Sequence, residues 1–271
     1  MGEDIKEIIG TEDGPTSIIL SGVHGDETCG VEAMEHIFPK LQIKRGRVLW
    51  GYGNPRAIQQ AKRFTETNLN RMFKPDSEIS DGDRASYEYA RAQFLKTYLV
   101  QADVLLDIHA SFTPDTRPFL ICEQNAKDIA NHLPTDLVVH GFDEIEPGGT
   151  DYYMNRIGKI GICVECGYLG TPQAIVIAEQ SIACFLRARG HLSGDLETQK
   201  QSHIRMFELY KTKTAEFRLS RAFMDFENLN KGEVIGLDGQ EEIAAPRDSV
   251  ILFARDQTTP NGEAFLLGEW Q

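Results

Sequence analysis

Residues 16–28 read Thr-Ser-Ile-Ile-Leu-Ser-Gly-Val-His-Gly-Asp-Glu-Thr. The first half is a short, β-branched apolar run, the pattern of a strand buried on both faces. Residues 28–38 (TCGVEAMEHIF) have helical spacing and are closed by Pro39. A buried strand that turns into a helix is the repeating unit of an α/β sheet. His24 and Glu27 fall on the turn itself. Loops at the carboxyl ends of such strands are where α/β proteins build their sites.

The same alternation continues outward. Strands are expected at residues 47–52 (RVLWGY), 103–108 (DVLLDI) and 160–165 (IGICVE), with shorter ones at 118–122 and 137–139. Residues 56–72 are polar and basic without a clean period, and read as a long loop with a helical turn. Helices are expected over 83–100 and 171–189, the second with Pro172 in its first turn and Gly190 after its end. These elements predict an α/β fold, a mixed and mainly parallel sheet flanked by helices. After about residue 200, Gly232, Gly236, Gly239, Pro246, Pro260 and Gly262 punctuate short segments, which suggests a small C-terminal all-β domain. The polar stretch 193–202 places the boundary, giving domains 1–195 and 196–271.

The chain has 271 residues, 41% hydrophobic and 25% charged, which excludes a disordered or collagenous protein. Its 28 basic and 41 acidic residues leave a net charge of −13, a field that repels nucleic acid and anionic membranes. No apolar run is long enough to span a bilayer. The N-terminal MGEDIKEIIG carries charges where a signal peptide needs an apolar core. Five scattered cysteines do not make a disulfide framework, so they read as reduced thiols of a cytoplasmic protein. A homo-oligomer is compatible with this composition.

Three polar residues follow apolar strands: His24, His109 and Glu165. His24 and Glu27 form an H-x-x-E pair able to bite one cation, and His109 completes a His, Glu, His set. Three protein ligands with one open position is the catalytic zinc pattern. H-x-x-E alone is common by chance; its weight here comes from Glu165 and from a loop carrying Arg56, Arg63 and Arg71 in an acidic chain. Asp107, two residues before His109, points to the same side of its strand, either to orient that histidine or as a plain structural hydrogen bond. Cys163 and Cys166 resemble a redox pair, but residues three apart on a strand face opposite sides, so they read as structural thiols bracketing Glu165. His36, His132, His140, His191 and His203 read as surface residues. Glu144, Glu146 and Asp151 read as solvated loop charges, and Gly148-Gly149 as a hinge in the loop before Tyr152.

The motif SGVHGDET (21–28) resembles the zinc motif of the succinylglutamate desuccinylase and aspartoacylase family, relatives of the zinc carboxypeptidases. Asn54-Pro-Arg-Ala, Lys62-Arg-Phe and Asn68-Leu-Asn-Arg-Met-Phe resemble its second block, Asp107-Ile-His its third and Val164-Glu-Cys-Gly its fourth. The resemblance covers residues 16–190 and implies a zinc carboxypeptidase-like fold with a small C-terminal β-domain. It implies one Zn2+ per chain, held by His24, Glu27 and His109, with Glu165 as general base and Arg63 stabilising the oxyanion. Asn70 and Arg71 would grip a substrate carboxylate, and Tyr152 and Arg156 a second one. The expected activity is hydrolysis of the amide bond of a small anionic N-acyl amino acid, with succinylglutamate the first choice because a dicarboxylate suits Arg71 plus Arg156. The alternatives are a carboxypeptidase-like peptidase or broad deacylase on the same machinery, a metal-binding module without turnover, and a redox protein using Cys163 and Cys166. Two positions depart from the family. Asn68 stands where Asp is usual and supplies no negative charge. Phe265 and Leu266 stand where some members offer a substrate-binding tyrosine.

Overall fold

The computed structural model describes residues 4–271. Met1–Glu3, part of the N-terminal stretch read against a signal peptide, lie outside the described residues. In chain order the strands are β1 (Lys6–Ile9), β2 (Glu12–Ser21), β3 (Arg45–Tyr52), β4 (Val104–Ser111), β5 (Phe119–Cys122), β6 (Leu137–His140), β7 (Ile160–Tyr168), β8 (Ser202–Lys211), β9 (Phe217–Leu219), β10 (Glu227–Leu229), β11 (Val234–Asp238), β12 (Glu241–Ala244), β13 (Ser249–Leu252) and β14 (Glu263–Trp270). One sheet has the order β1-β3-β2-β4-β7-β5-β6-β8-β14-β13-β10, and β12-β11-β9 form a second.

The expected α/β architecture is present. β3, β2, β4 and β7 run parallel at the centre, β1 is antiparallel to β3, and β5 is antiparallel to β7 but parallel to β6. Every residue of β4 is buried. Alternate side chains feed two cores on opposite faces: Ile19, Leu106, Ile108 and Val164 pack with Phe185 of the helix Pro172–Ala188. Ile18, Leu20 and Leu105 pack with Leu95 of the helix Tyr87–Leu99. Each such fully buried aliphatic side chain contributes about 1.5–3 kcal/mol. The single helix expected over 83–100 is two helices, Asp81–Arg84 and Tyr87–Leu99, because Ser86 caps the second: its Oγ accepts from Tyr89 N–H at 3.1 Å.

The C-terminal segment carries the small antiparallel sheet β12-β11-β9, and its remaining strands continue the central sheet. β8 pairs in parallel with β6, and β14, β13 and β10 follow antiparallel. The strands β8 and β14, not marked out in the sequence, thus extend the central sheet beyond β6. The small second sheet packs Phe217 and Ile235 against Ile251 of β13 and Phe265 of β14. Two histidines read as surface residues are buried. His191 is fully covered, with its ring nitrogens 2.8 Å from Ser17 Oγ and from the Arg45 carbonyl. His140 stacks on His203 at the β6–β8 seam.

Candidate metal centre and active site

The turn after β2 leaves little room. A Cβ on Gly25 would lie 2.1 Å from the Ala57 carbonyl carbon, so only glycine lets the loop of His24 pack on the helix Pro55–Gln60. Gly25 N–H also donates to the Arg63 carbonyl at 3.2 Å. The Arg63 loop is tied from beneath by Glu88, a fully buried carboxylate that the sequence did not flag. It accepts from Asn54 Nδ2 (3.1 Å), Thr65 N–H (2.7 Å), Thr65 Oγ1 (2.6 Å) and Thr67 N–H (3.3 Å). Burial would raise the Glu88 carboxyl, but these donors outweigh it and hold it below its ordinary range.

His24, Glu27 and His109 come together, with 4%, 3% and 2% exposure. Each histidine turns Nδ1 toward the same carboxylate: His24 Nδ1 is 2.9 Å from Glu27 Oε1 and His109 Nδ1 is 2.9 Å from Glu27 Oε2. Asn68 Oδ1 accepts from Asn70 N–H at 3.0 Å, and His24 Nε2 lies 3.2 Å from the same oxygen. The backbone N–H identifies that atom as oxygen, so the His24 ring stands between two acceptors, Asn68 Oδ1 and Glu27 Oε1. The imidazole stays neutral: burial and the Arg63 charge lower its pKa to about 4. For His109, burial acts downward, but the carboxylates of Asp107 and Glu27 outweigh it and hold its proton well above the usual range. Asp107 Oδ2 is 3.2 Å from His109 Nε2 and also accepts from Thr150 Oγ1. One group of donor atoms, within 4.8 Å of one another, thus faces a shared point.

Glu165, at the end of β7, lines the same pocket at 7% exposure, and its Oε2 has no partner among the described residues. Burial, then the charge of Glu27, raises its pKa to about 8. Arg63 Nη1 donates to Glu27 Oε1 at 2.9 Å, and the guanidinium lines the pocket. Asn70 and Tyr152 also line it. Arg156 is exposed and outside the lining; its Nη1 meets the pocket only through Tyr152 OH at 3.1 Å.

Arg71 lines the pocket but is already matched. Nε and Nη2 grip Glu263 of β14 at 2.9 and 2.8 Å, Nη2 also donates to Glu146, and Nη1 donates to the Asn70 carbonyl at 2.8 Å. The two arginines behind the dicarboxylate expectation are therefore not both open to a ligand. Glu146 and Asp151, read as solvated charges, are pocket groups; burial raises each carboxyl to about 7. Gly148 is not a free hinge. Its φ is +113°, and a Cβ there would lie 2.9 Å from the Arg71 carbonyl oxygen, so the loop is packed on Arg71. The sequence also gave no sign of Arg255 and Glu263, which enter from the C-terminal strands. Cys163 lines the pocket, whereas Cys166 packs in the opposite core, and neither is in a disulfide.

Residues 13–189 match the model of the succinylglutamate desuccinylase/aspartoacylase catalytic domain, and the chain belongs to that family. It is 27% identical over 209 residues to an N-alpha-acetyl-L-2,4-diaminobutyric acid deacetylase of Halomonas elongata, covering 71% of this chain and 60% of that protein. It is 39% identical over 82 residues to a succinylglutamate desuccinylase of Pseudomonas paraeruginosa, covering 28% and 25%. The chain thus matches less than two thirds of the length of these relatives. Among solved structures, succinylglutamate desuccinylase from Vibrio cholerae superposes with a TM-score of 0.83 at 18% identity, covering 98% of this chain and 85% of that one. The product-bound ectoine utilization protein EutE (DoeB) from Ruegeria pomeroyi gives 0.73 at 19% identity, covering 97% and 88%. At these identities the likeness shows the fold. No helix among the described residues is long and apolar enough to cross a membrane.

Proposed function

We propose that this chain hydrolyses the amide bond of a small N-acyl amino acid, using one zinc ion held by His24, Glu27 and His109. The observation that carries the reading is the orientation of His24. Its neutral ring stands between two acceptors, Asn68 Oδ1 at 3.2 Å from Nε2 and Glu27 Oε1 at 2.9 Å from Nδ1, and can donate to only one of them. A cation held by Nδ1 and Glu27 while Nε2–H donates to Asn68 leaves each of these buried atoms with a partner. Two imidazoles and a carboxylate suit zinc. When bound, the ion supplies Lewis acidity toward a water molecule and a carbonyl oxygen.

The chain's own residues supply the rest. Glu165 Oε2, unpartnered and with a raised pKa, takes a proton from the attacking water and delivers it to the leaving amine. Arg63, anchored on Glu27, turns its remaining N–H groups to the oxyanion that develops at the carbonyl. Asp107 steadies the His109 ring from its far side. Glu263, Phe265 and Leu266 of β14 line the pocket, which favours a compact acyl amino acid over a long peptide.

Release of free amine from N-succinyl-L-glutamate, N-acetyl-L-aspartate and Nα-acetyl-L-2,4-diaminobutyrate by zinc-loaded protein tests the reading. Turnover of at least one, lost in His109→Ala, supports it. No amine from any of them, with zinc bound, overturns it.

A further inference from the structure

The pocket holds three guanidinium groups, and they are not equivalent. Arg71 is matched by two carboxylates and a carbonyl, so a third carboxylate would meet a site already neutralised. Arg63 is anchored on Glu27 beside the candidate metal centre. Arg255 is the remaining one. Only its Nε is engaged, donating to the Glu263 carbonyl at 3.1 Å; no carboxylate among the described residues pairs with it. Its two terminal nitrogens, the fork that binds a carboxylate bidentately, are left for a ligand.

The group is also held in place. Its guanidinium lies over the Phe112 ring, 5.1 Å from the centroid, and Phe112 lines the same pocket just past His109. Arg255 N–H donates to the Ala264 carbonyl at 2.9 Å. Two residues earlier, Phe253 N–H donates to Asp225 Oδ1 at 2.9 Å. The Asp225 carboxylate in turn accepts from Ser111 Oγ at 3.0 Å and Thr113 Oγ1 at 3.1 Å, just past the carboxyl end of β4. This chain of bonds ties the C-terminal turn of Arg255 to the strand that carries His109. Burial and the like charge of Arg63 disfavour the cation, a cost that an incoming anion relieves.

We infer that Arg255 binds the carboxylate of the N-acyl amino acid, and that the C-terminal strands thereby set substrate choice. The inference rests on the hydrolase reading above.

The test compares wild type, Arg255→Gln and Arg255→Lys on N-succinyl-L-glutamate and Nα-acetyl-L-2,4-diaminobutyrate, and on the same compounds with the amino acid α-carboxylate converted to a carboxamide. Thermal melting and zinc content of each variant check that it folds and loads. The expected result is a KM about 10- to 100-fold higher for the acids in Arg255→Gln, with kcat little changed and partial recovery in Arg255→Lys. The carboxamides should react equally with wild type and Arg255→Gln. An unchanged KM for the acids, or an equal loss on acids and carboxamides, overturns the inference. If wild type hydrolyses neither acid, the hydrolase reading fails separately. Calorimetric titration with N-acetyl-L-glutamate then decides the role of Arg255: weaker binding in Arg255→Gln supports it, while equal or absent binding in wild type overturns it.

Discussion

Arg71 and Glu263 stand 192 residues apart and form a two-pronged ion pair, Nε to Oε1 at 2.9 Å and Nη2 to Oε2 at 2.8 Å. Burial would raise the Glu263 carboxyl, but the guanidinium outweighs it and holds it at about 2. The pair joins the loop of the second sequence block to β14, so it fastens the C-terminal strands to the site. Glu263→Ala leaves a mostly buried guanidinium with Glu146 as its remaining carboxylate. The expected cost is about 1–3 kcal/mol of stability, read as a lower denaturation midpoint at pH 7. Glu263→Gln, which keeps an acceptor, should lose less. Equal stability of wild type and Glu263→Ala would show that the pair carries no structural weight.

Asn68 faces Nε2 of the His24 ring with an amide oxygen rather than a carboxylate. Asn68→Ala removes that acceptor, freeing the ring to rotate or to protonate the wrong nitrogen. Zinc affinity measured by competition with a chelator is expected to fall about 10- to 100-fold. An affinity equal to that of wild type would mean that the ring is held by packing alone.

Glu165 is the proton carrier of the account. Glu165→Gln keeps the shape and removes the base, so kcat should fall by about 10²–10⁴ with zinc content unchanged. Retention of most of the activity would assign the proton transfer elsewhere.

Asp151 gives a pH signature in stability. Burial, helped by the charge of Asp143, raises its pKa to about 7, whereas a carboxyl in the unfolded chain titrates near ~3.9. Between these values the folded state binds a proton that the unfolded state lacks. The group's contribution is therefore full at low pH and is lost as pH rises through 7. Asp151→Asn removes the penalty. The variant should melt higher than wild type at pH 8, by about 2–4 °C for each kcal/mol, and the gap should narrow as pH falls and close below about pH 4. A gap independent of pH would contradict this.

His24, Glu27, His109 and Glu165 were legible because they lie near or just past the carboxyl ends of buried strands, and strand ends converge on one edge of an α/β sheet. Arg63 was legible from its block, although the carboxylate beneath it, Glu88, was not, since a helical Glu looks like any solvated charge. Arg255 and Glu263 were hidden for a different reason. Their place at the pocket depends on β8 pairing with β6 and β14 pairing with β8, long-range choices that local pattern does not carry. Glu146 and Asp151 read as solvent-facing for the same reason: nothing in residues 144–151 announces that they fold onto Arg71.

The most direct measurement is the zinc content per chain of wild type, His24→Ala and Glu165→Gln, purified alike and analysed by elemental analysis. The account predicts about one zinc in wild type and in Glu165→Gln, and almost none in His24→Ala. Equal metal in wild type and His24→Ala, or a wild type that added zinc cannot load, would contradict the His24, Glu27 and His109 centre.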